Sequence, residues 1–322
     1  MKYSFQSLFA NRIEKFITQK NALGFPYKAN IKILSSFDRF CLLDFPGETD
    51  LTKEICMAWA IKRDTENNNS FYNRVIPIRE FARYLISTGE SAYIVPSSLV
   101  PRNTQYVPYI YSEHEILAFW NELGKSKPRK DYPAQQIILP AIFRLIYCCG
   151  LRPSEALNLR IKDVDLARGK LYIMESKGHK DRIVMMADDV TALLREYTEK
   201  AGAVAPESEF FFPGPQGSAN SADWLRQQFR RAWKKTKLNH SGKNPPRVYD
   251  FRHAFATHRL YRWMEEGKDV TAMLPYLSMY MGHTLLSATY YYIHLVPGQF
   301  AFMSDFDFSR SESLLPEVGC DE

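Results

Sequence analysis

Cysteine is scarce in this chain. Five occur in 322 residues (Cys41, Cys56, Cys148, Cys149 and Cys320), and none forms a CxxC pair. That spacing suits neither a zinc site nor a disulfide framework, so reduced and mostly buried thiols are expected, with no metal and no cofactor. Long apolar runs are missing too, which leaves no candidate for a membrane-spanning helix. No export signal opens the sequence, so a cytoplasmic protein without a membrane partner is expected. Neither repeats nor low-complexity tracts occur. Charge of one sign is only slightly in excess, at +6 with a pI near 8.9, a balance that suits nucleic acid and ordinary basic enzymes equally. What is present is ordinary for a globular protein: 45% hydrophobic and 24% charged residues, on a chain long enough for two domains.

Locally the charge is far from balanced. Between Ser221 and Arg247 a single acid, Asp223, faces Arg226, Arg230, Arg231, Lys234, Lys235, Lys237, Lys243 and Arg247. At helical spacing Arg226, Arg230 and Lys234 share one face, and Leu225, Phe229 and Trp233 share the other. Such a face is either simply solvated or set against DNA phosphates, where each neutralised phosphate releases counterions. The neighbouring segments favour the second reading, which adds Lys235, Lys243 and Arg247 to the DNA-binding set. Beyond Pro297 the sign reverses, with Asp305, Asp307, Glu312, Glu317, Asp321 and Glu322 against Arg310. Phe300, Phe302, Phe306, Phe308, Leu314 and Leu315 give this tail apolar anchors. It reads as unstructured or as docked on a basic neighbour.

Periodicity divides the chain. Phe9, Ile13, Phe16 and Ile17 recur at helical spacing, as do Phe71, Val75, Ile78, Phe81 and Leu85. With helices near 28–43 and 50–63, residues 1–95 are expected to form a small four-helix domain. Residues 96–111, proline-containing and aperiodic, read as a linker. A mixed domain follows over 112–296, with 297–322 as the tail. It opens with capping chemistry at Ser112 to Glu115. An apolar helix over about 133–148 ends at Gly150, and the next helix starts near Pro153. Leu171 to Met174 and Arg182 to Met185 read as two strands around a polar turn containing Lys177 and Lys180. Further helices are expected at 221–238, 248–265, 270–281 and 285–294.

Five residues of the second domain jointly suggest phosphodiester cleavage: Arg152, Lys177, Arg252, His283 and Tyr292. Without a metal, that reaction needs an in-line nucleophile, cationic donors on the non-bridging oxygens and a proton for the leaving oxygen. Arginine suits the second task, because its planar fork meets phosphate bidentately and stays charged. Each residue also has a plainer reading. Arg152 pairs with Glu155 on a surface; Lys177, like its rival Lys180, is a solvated turn lysine; His283 caps a helix; Tyr292 is a packed ring. Arg252 is different, because Phe251 and Phe255 flank it and a charge in such a setting needs a partner or a task.

The segments resemble the tyrosine recombinases, the integrase family that includes phage integrases and Xer recombinases. Gly150-Leu151-Arg152-Pro153-Ser154-Glu155 matches the family's first arginine box, with Glu155 in support. Lys177 matches the β-hairpin lysine, and Tyr249-Asp250-Phe251-Arg252 matches the His-x-x-Arg box. Met281-Gly282-His283 matches the Leu-Gly-His box. The family's nucleophilic tyrosine lies nine residues after that histidine, which selects Tyr292 over Tyr290 and Tyr291. Tyr249 departs from the pattern, since a phenol replaces the usual imidazole and is a poorer base at neutral pH. His253 and His258 read as structural, and His294 is a further nearby imidazole.

The resemblance implies a mainly α fold with a small β-sheet: a helical core-binding domain plus a catalytic domain that together clamp double-stranded DNA. It implies Tyr292 attack to give a 3′-phosphotyrosine, with Lys177 protonating the leaving 5′-oxygen and no cofactor. It also implies a tetramer on two DNA sites, with or without a second recombinase. Two other activities use the same residues: a type IB topoisomerase-like nicking-closing enzyme, and a catalytically weak DNA-binding relative.

Overall fold

The computed structural model describes residues 4–24, 27–101, 107–127, 129–174, 181–238 and 244–293. The chain divides into two compact units, Met1–Tyr106 and Val107–Glu322.

The first unit is helical: α1 (Ala10–Ala22), α2 (Lys28–Asp44), α3 (Lys53–Trp59) and α4 (Asn68–Ser87). The apolar repeats expected from the sequence form its core, with Phe9, Ile13, Phe16, Phe71, Val75, Ile78, Phe81 and Leu85 all buried. Helix α3 ends earlier than the expected 63, at Trp59, and also starts later than 50, because Leu51 is taken by an extended pairing. The Leu51 carbonyl accepts from the Tyr93 amide at 2.8 Å, so the helix starts only at its Thr52 cap, whose hydroxyl accepts from the Ile55 amide. The stretch expected as a linker is shared out. Val95 and Val100 pack into this core, whereas Tyr109 and Tyr111 pack into the second unit's.

The second unit contains α5 (Glu113–Gly124), α6 (Gln135–Cys148) and α7 (Pro153–Leu157). Strands β1 (Val164–Asp165), β2 (Lys170–Ile173) and β3 (Arg182–Met185) come next. The chain then forms α8 (Asp188–Val204), α9 (Ala222–Thr236), α10 (Asp250–Glu265), α11 (Val270–Met281) and α12 (Ser287–Tyr290). Its core is strongly aromatic. Tyr111 stacks on Phe251 at 4.5 Å between centroids, and Phe119 meets Phe143 edge-on at 5.2 Å. Phe251 thereby fixes the first turn of α10, on which its neighbour Arg252 stands. Helix α5 opens with the expected capping box, in which Ser112 and Glu115 satisfy each other's backbone amides.

The sheet is antiparallel in the order β1-β2-β3, with Leu171 opposite both Val164 and Val184. The expected hairpin is therefore one strand short of the whole, since the two-residue β1 is too brief to show a period. Helix α8 lies in a stretch to which the sequence assigns no element. In place of the expected helix over 285–294, α12 is a single turn, and the described chain ends at Ile293.

Candidate active site

Two helix ends build the site. Helix α6 finishes at Gly150, which takes the left-handed conformation at φ 57°. Around it the Leu151 amide bonds back to the Ile146 carbonyl at 3.1 Å. Helix α11 finishes the same way: Gly282 lies at φ 67°, and the His283 amide bonds to the Ser278 carbonyl at 3.0 Å. Glycine adopts this conformation without the Cβ penalty, which is why it ends helices so often. The two turns deliver Arg152 and His283 respectively. Gly150 is needed for a second reason, since a Cβ there would lie 2.7 Å from Cε1 of Phe255.

Arg252 ties the two turns together. Its side chain is fully buried. One terminal nitrogen donates to the Gly150 carbonyl and the other to the Met281 carbonyl, each at 2.6 Å. Carbonyls at helix C-termini carry partial negative charge, which offsets the burial of the cation. Even so, burial, with Arg152 adding to it, pulls the Arg252 pKa below its usual value. Its Nε is buried with no hydrogen-bond partner among the described residues.

Arg152 reaches the same turn. One terminal nitrogen donates to Glu155 at 2.6 Å and the other to the Gly282 carbonyl at 2.8 Å. The Arg152 backbone amide also donates to Glu155, at 2.8 Å, capping α7. The plain reading of a surface pair is therefore too weak, because the Glu155 side chain is only 5% exposed. Burial raises the Glu155 pKa, but bonds from Arg182 and then Arg152 outweigh it and bring the net value down to about 2.

Tyr292 belongs to a small apolar cluster with Phe255, Leu260, Leu274, Leu277 and Met281, and is 3% exposed. Its ring lies parallel to His283 at 6.0 Å and 5.5 Å from the His253 ring. Burial raises the phenol pKa to about 12, against the lowering pull of Arg252 and Arg152. His283 is pushed down to about 3, first by burial and then by Arg252, Arg152 and Arg182. Its Nδ1 lies 2.7 Å from the Thr289 hydroxyl. Tyr249 precedes α10, is 39% exposed, and lies 5.1 Å from the His253 ring. Arg152, Arg252, His283 and Tyr292 are thus brought together, with Tyr249 joined to them through His253.

Lys177 and its rival Lys180 lie outside the described residues, as do Lys243, His294 and the tail. Arg226, Arg230, Lys234 and Lys235 are exposed along α9, opposite buried Leu225 and Phe229. Arg226 also pairs with Asp223. Arg247 is exposed and bonds Asp250 through its backbone amide at 2.9 Å. His258, read as structural, bonds the Tyr147 hydroxyl at 2.9 Å. A cavity of about 540 Å³ is lined by Arg152, Glu155, Arg160, Lys162 and Tyr172. Arg252, His283 and Tyr292 do not line this cavity.

One residue at the site was absent from the sequence expectations. The sequence marks Arg182 only as the start of a strand, yet its guanidinium grips Glu155 with two bonds of 2.9 and 2.8 Å. A signal was available: Arg182 alternates with Ile183 and shares the inward face with Val184, where a charge needs a partner.

Comparison with known proteins matches residues 115–298, more than half of the chain, to the phage integrase family. A tyrosine recombinase XerC of Chlorobaculum tepidum is 30% identical over 247 residues, covering 70% of this chain and 69% of that one. An integrase/recombinase of Sinorhizobium fredii, y4rB, is 29% identical over 301 residues, covering 89% and 93%. Among solved structures, XerH recombinase bound to its difH substrate in a post-cleavage complex aligns with a TM-score of 0.62 at 19% identity, covering 84% of this chain and 77% of that one. A lambda integrase tetramer bound to a Holliday junction aligns with a TM-score of 0.60 at 18% identity, covering 88% of this chain and 77% of that one. The chain belongs to the phage integrase family, the tyrosine recombinases, and is an enzyme that cleaves and rejoins DNA strands.

Proposed function

We propose that this protein is a site-specific recombinase acting through a covalent 3′-phosphotyrosine on Tyr292. The observation that carries the reading is the convergence of Arg152 and Arg252 on the single turn Met281–His283, beside a buried tyrosine stacked on His283. Two guanidiniums held this way meet the two non-bridging oxygens of one phosphate, and the unpartnered Nε of Arg252 adds a buried donor.

In the proposed reaction the Tyr292 oxygen attacks phosphorus, the P–O5′ bond breaks, and Lys177 gives its proton to the departing 5′-oxygen. In the tautomer whose Nδ1 accepts from the Thr289 hydroxyl, neutral His283 carries its proton on Nε2 and through it donates a hydrogen bond to a phosphate oxygen. Tyr249 supplies a further hydrogen bond in place of the family's histidine. Proton loss from Tyr292 then depends on the field of the two arginines or on water. The covalent link conserves the bond, so the reaction needs neither nucleotide hydrolysis nor a metal ion. A 5′-hydroxyl from a second duplex completes strand exchange.

DNA contacts are assigned to Arg226, Arg230, Lys234, Lys235, Lys243 and Arg247, with the four-helix unit binding the same duplex. A tetramer on two sites, a tail beyond Pro297 docked on a neighbouring protomer, and action in the cytoplasm complete the proposal. The separate helical unit favours recombination over simple nicking and closing.

The test is a nicked duplex that traps the intermediate, carrying a site selected from random DNA by binding. A covalent protein–DNA adduct should form and should vanish in Tyr292→Phe while Tyr290→Phe and Tyr291→Phe retain it. An adduct that persists in Tyr292→Phe would sink the nucleophile assignment. Relaxation of a single circle by monomers, without synapsis, would favour the topoisomerase reading.

A further inference from the structure

We propose that Arg182 is a positioning residue for the cleavage reaction: by holding Glu155 and the end of α11 at once, it sets Arg152 against the Gly282–His283 turn. This rests on the reading of the site given above.

Glu155 is saturated. One oxygen accepts from Arg152 at 2.6 Å and from Arg182 at 2.9 Å. The other accepts from Arg182 at 2.8 Å and from the Arg152 amide at 2.8 Å. Without Arg182 this carboxylate keeps only the bonds within its own short helix and is free to rotate, taking Arg152 with it. Arg182 makes a third kind of bond, from Nε to the Tyr280 carbonyl at 2.9 Å. That carbonyl lies two residues before Gly282, whose own carbonyl receives Arg152. Three elements, β3, α7 and α11, therefore meet on one guanidinium.

Packing and charge agree with the bonding. A Cβ on Gly282 would lie 3.0 Å from Cδ and from a terminal nitrogen of Arg182, so the turn and the arginine are fitted to each other. The Arg182 side chain is 7% exposed and Glu155 5%, which rules out a merely solvated pair. Two arginines share one carboxylate, so Arg152 retains cationic character for a phosphate. Only arginine offers a fork with a third donor; the single ammonium of lysine cannot grip both carboxylate oxygens and the Tyr280 carbonyl in this geometry.

The experiment uses the full chain and the nicked duplex described above. Single-turnover cleavage at saturating DNA, the DNA Kd and the thermal midpoint are measured for wild type, Arg182→Lys, Arg182→Gln, Arg152→Lys and the double variants. Arg182→Lys should slow cleavage by about 10–100-fold, as losses of supporting hydrogen bonds at a reaction site do, with Kd nearly unchanged and a thermal midpoint only a few degrees lower, the cost of one imperfectly bonded buried group. In the Arg152→Lys background the same substitution should cost less than about threefold more, because the two residues act as a unit. Wild-type cleavage in the Arg182 variants overturns the proposal. So does an equal loss with and without Arg152, or a loss of binding and thermal midpoint that tracks the rate in both Arg182 variants. Failure of wild type itself to form a Tyr292-dependent adduct counts against the proposed function. A normal adduct in wild type and Arg182 variants alike counts against this inference alone.

Discussion

The Tyr292 ring lies parallel to the His283 ring, with 16° between their planes and 6.0 Å between centroids. The pair shares one desolvated, arginine-rich environment that acts on the two groups in opposite directions. His283 is held near 3 and Tyr292 near 12, so both are neutral at physiological pH. In the proposed reaction His283 is then a neutral donor, and the cleavage rate should show no loss of activity from a histidine titrating near pH 6.5. The rate should instead climb with pH toward 9 as proton loss from Tyr292 becomes easier. Single-turnover cleavage across pH 5.5–9 tests this. An inflection near 6.5 that disappears in His283→Gln would overturn it.

The same shifts link stability to pH. His283 and His253 have folded pKa values of about 3 and 4, below the ordinary 6.5, so between those limits the unfolded chain binds more protons. Their contribution is complete above about pH 6.5 and is lost as pH falls toward 3. Glu155, lowered to about 2 from 4.5, adds a second loss below about pH 4.5. Urea midpoints should fall between pH 7 and 5, and fall faster below 4.5. In His253→Gln the first decline should be shallower; an unchanged slope would remove that histidine from the account.

Gly150 is predicted to be irreplaceable by alanine. Its φ of 57° strains any side chain, and the new methyl would run into the Phe255 ring. Left-handed strain and overpacking each cost about 1–3 kcal/mol, so Gly150→Ala should destabilise the chain by about 2–6 kcal/mol. Phe255→Leu should restore part of the loss by making room. Denaturant unfolding of the single and double variants measures both effects.

Much of this arrangement is legible in the sequence because local chemistry and function coincide. Gly150 and Gly282 end helices in any reading, and Arg152 and His283 follow them directly. Arg252 is marked by its apolar neighbours, and burial proves complete. What is hard to read is partnership at a distance. Nothing in the local sequence says that Arg182 meets Glu155, 27 positions away. Helix α8 is obscured differently: no side chain caps its N-terminus, and its signal is the spacing of Val190, Leu194, Tyr197 and Ala201, all buried, among polar residues.

Arg252 should tolerate no substitution, lysine included. Its guanidinium satisfies the Gly150 and Met281 carbonyls simultaneously; one ammonium leaves at least one of them poorly bonded, at about 1–3 kcal/mol of stability. The planar fork toward phosphate is lost as well, and removal of such a donor typically slows chemistry about 10²–10³-fold. Arg252→Lys should therefore bind DNA with nearly wild-type affinity but form the covalent adduct at least about 100-fold more slowly. Adduct formation at the wild-type rate would exclude Arg252 from the reaction.

Helix α9 makes a separate prediction about affinity. Arg230 and Lys234 are exposed on the face opposite Leu225 and Phe229, so replacing them leaves the core untouched and should shift stability by no more than about 0.5 kcal/mol. If they contact phosphates, each contributes about 0.9 to the slope of log K against log salt. Arg230→Ala with Lys234→Ala should then flatten that slope by about 1.8, weakening binding to specific and random duplexes alike. Fluorescence anisotropy titrations between 50 and 300 mM salt, on the order of the range where such slopes are measured, read the effect directly. An unchanged slope would return this face of α9 to ordinary solvated surface.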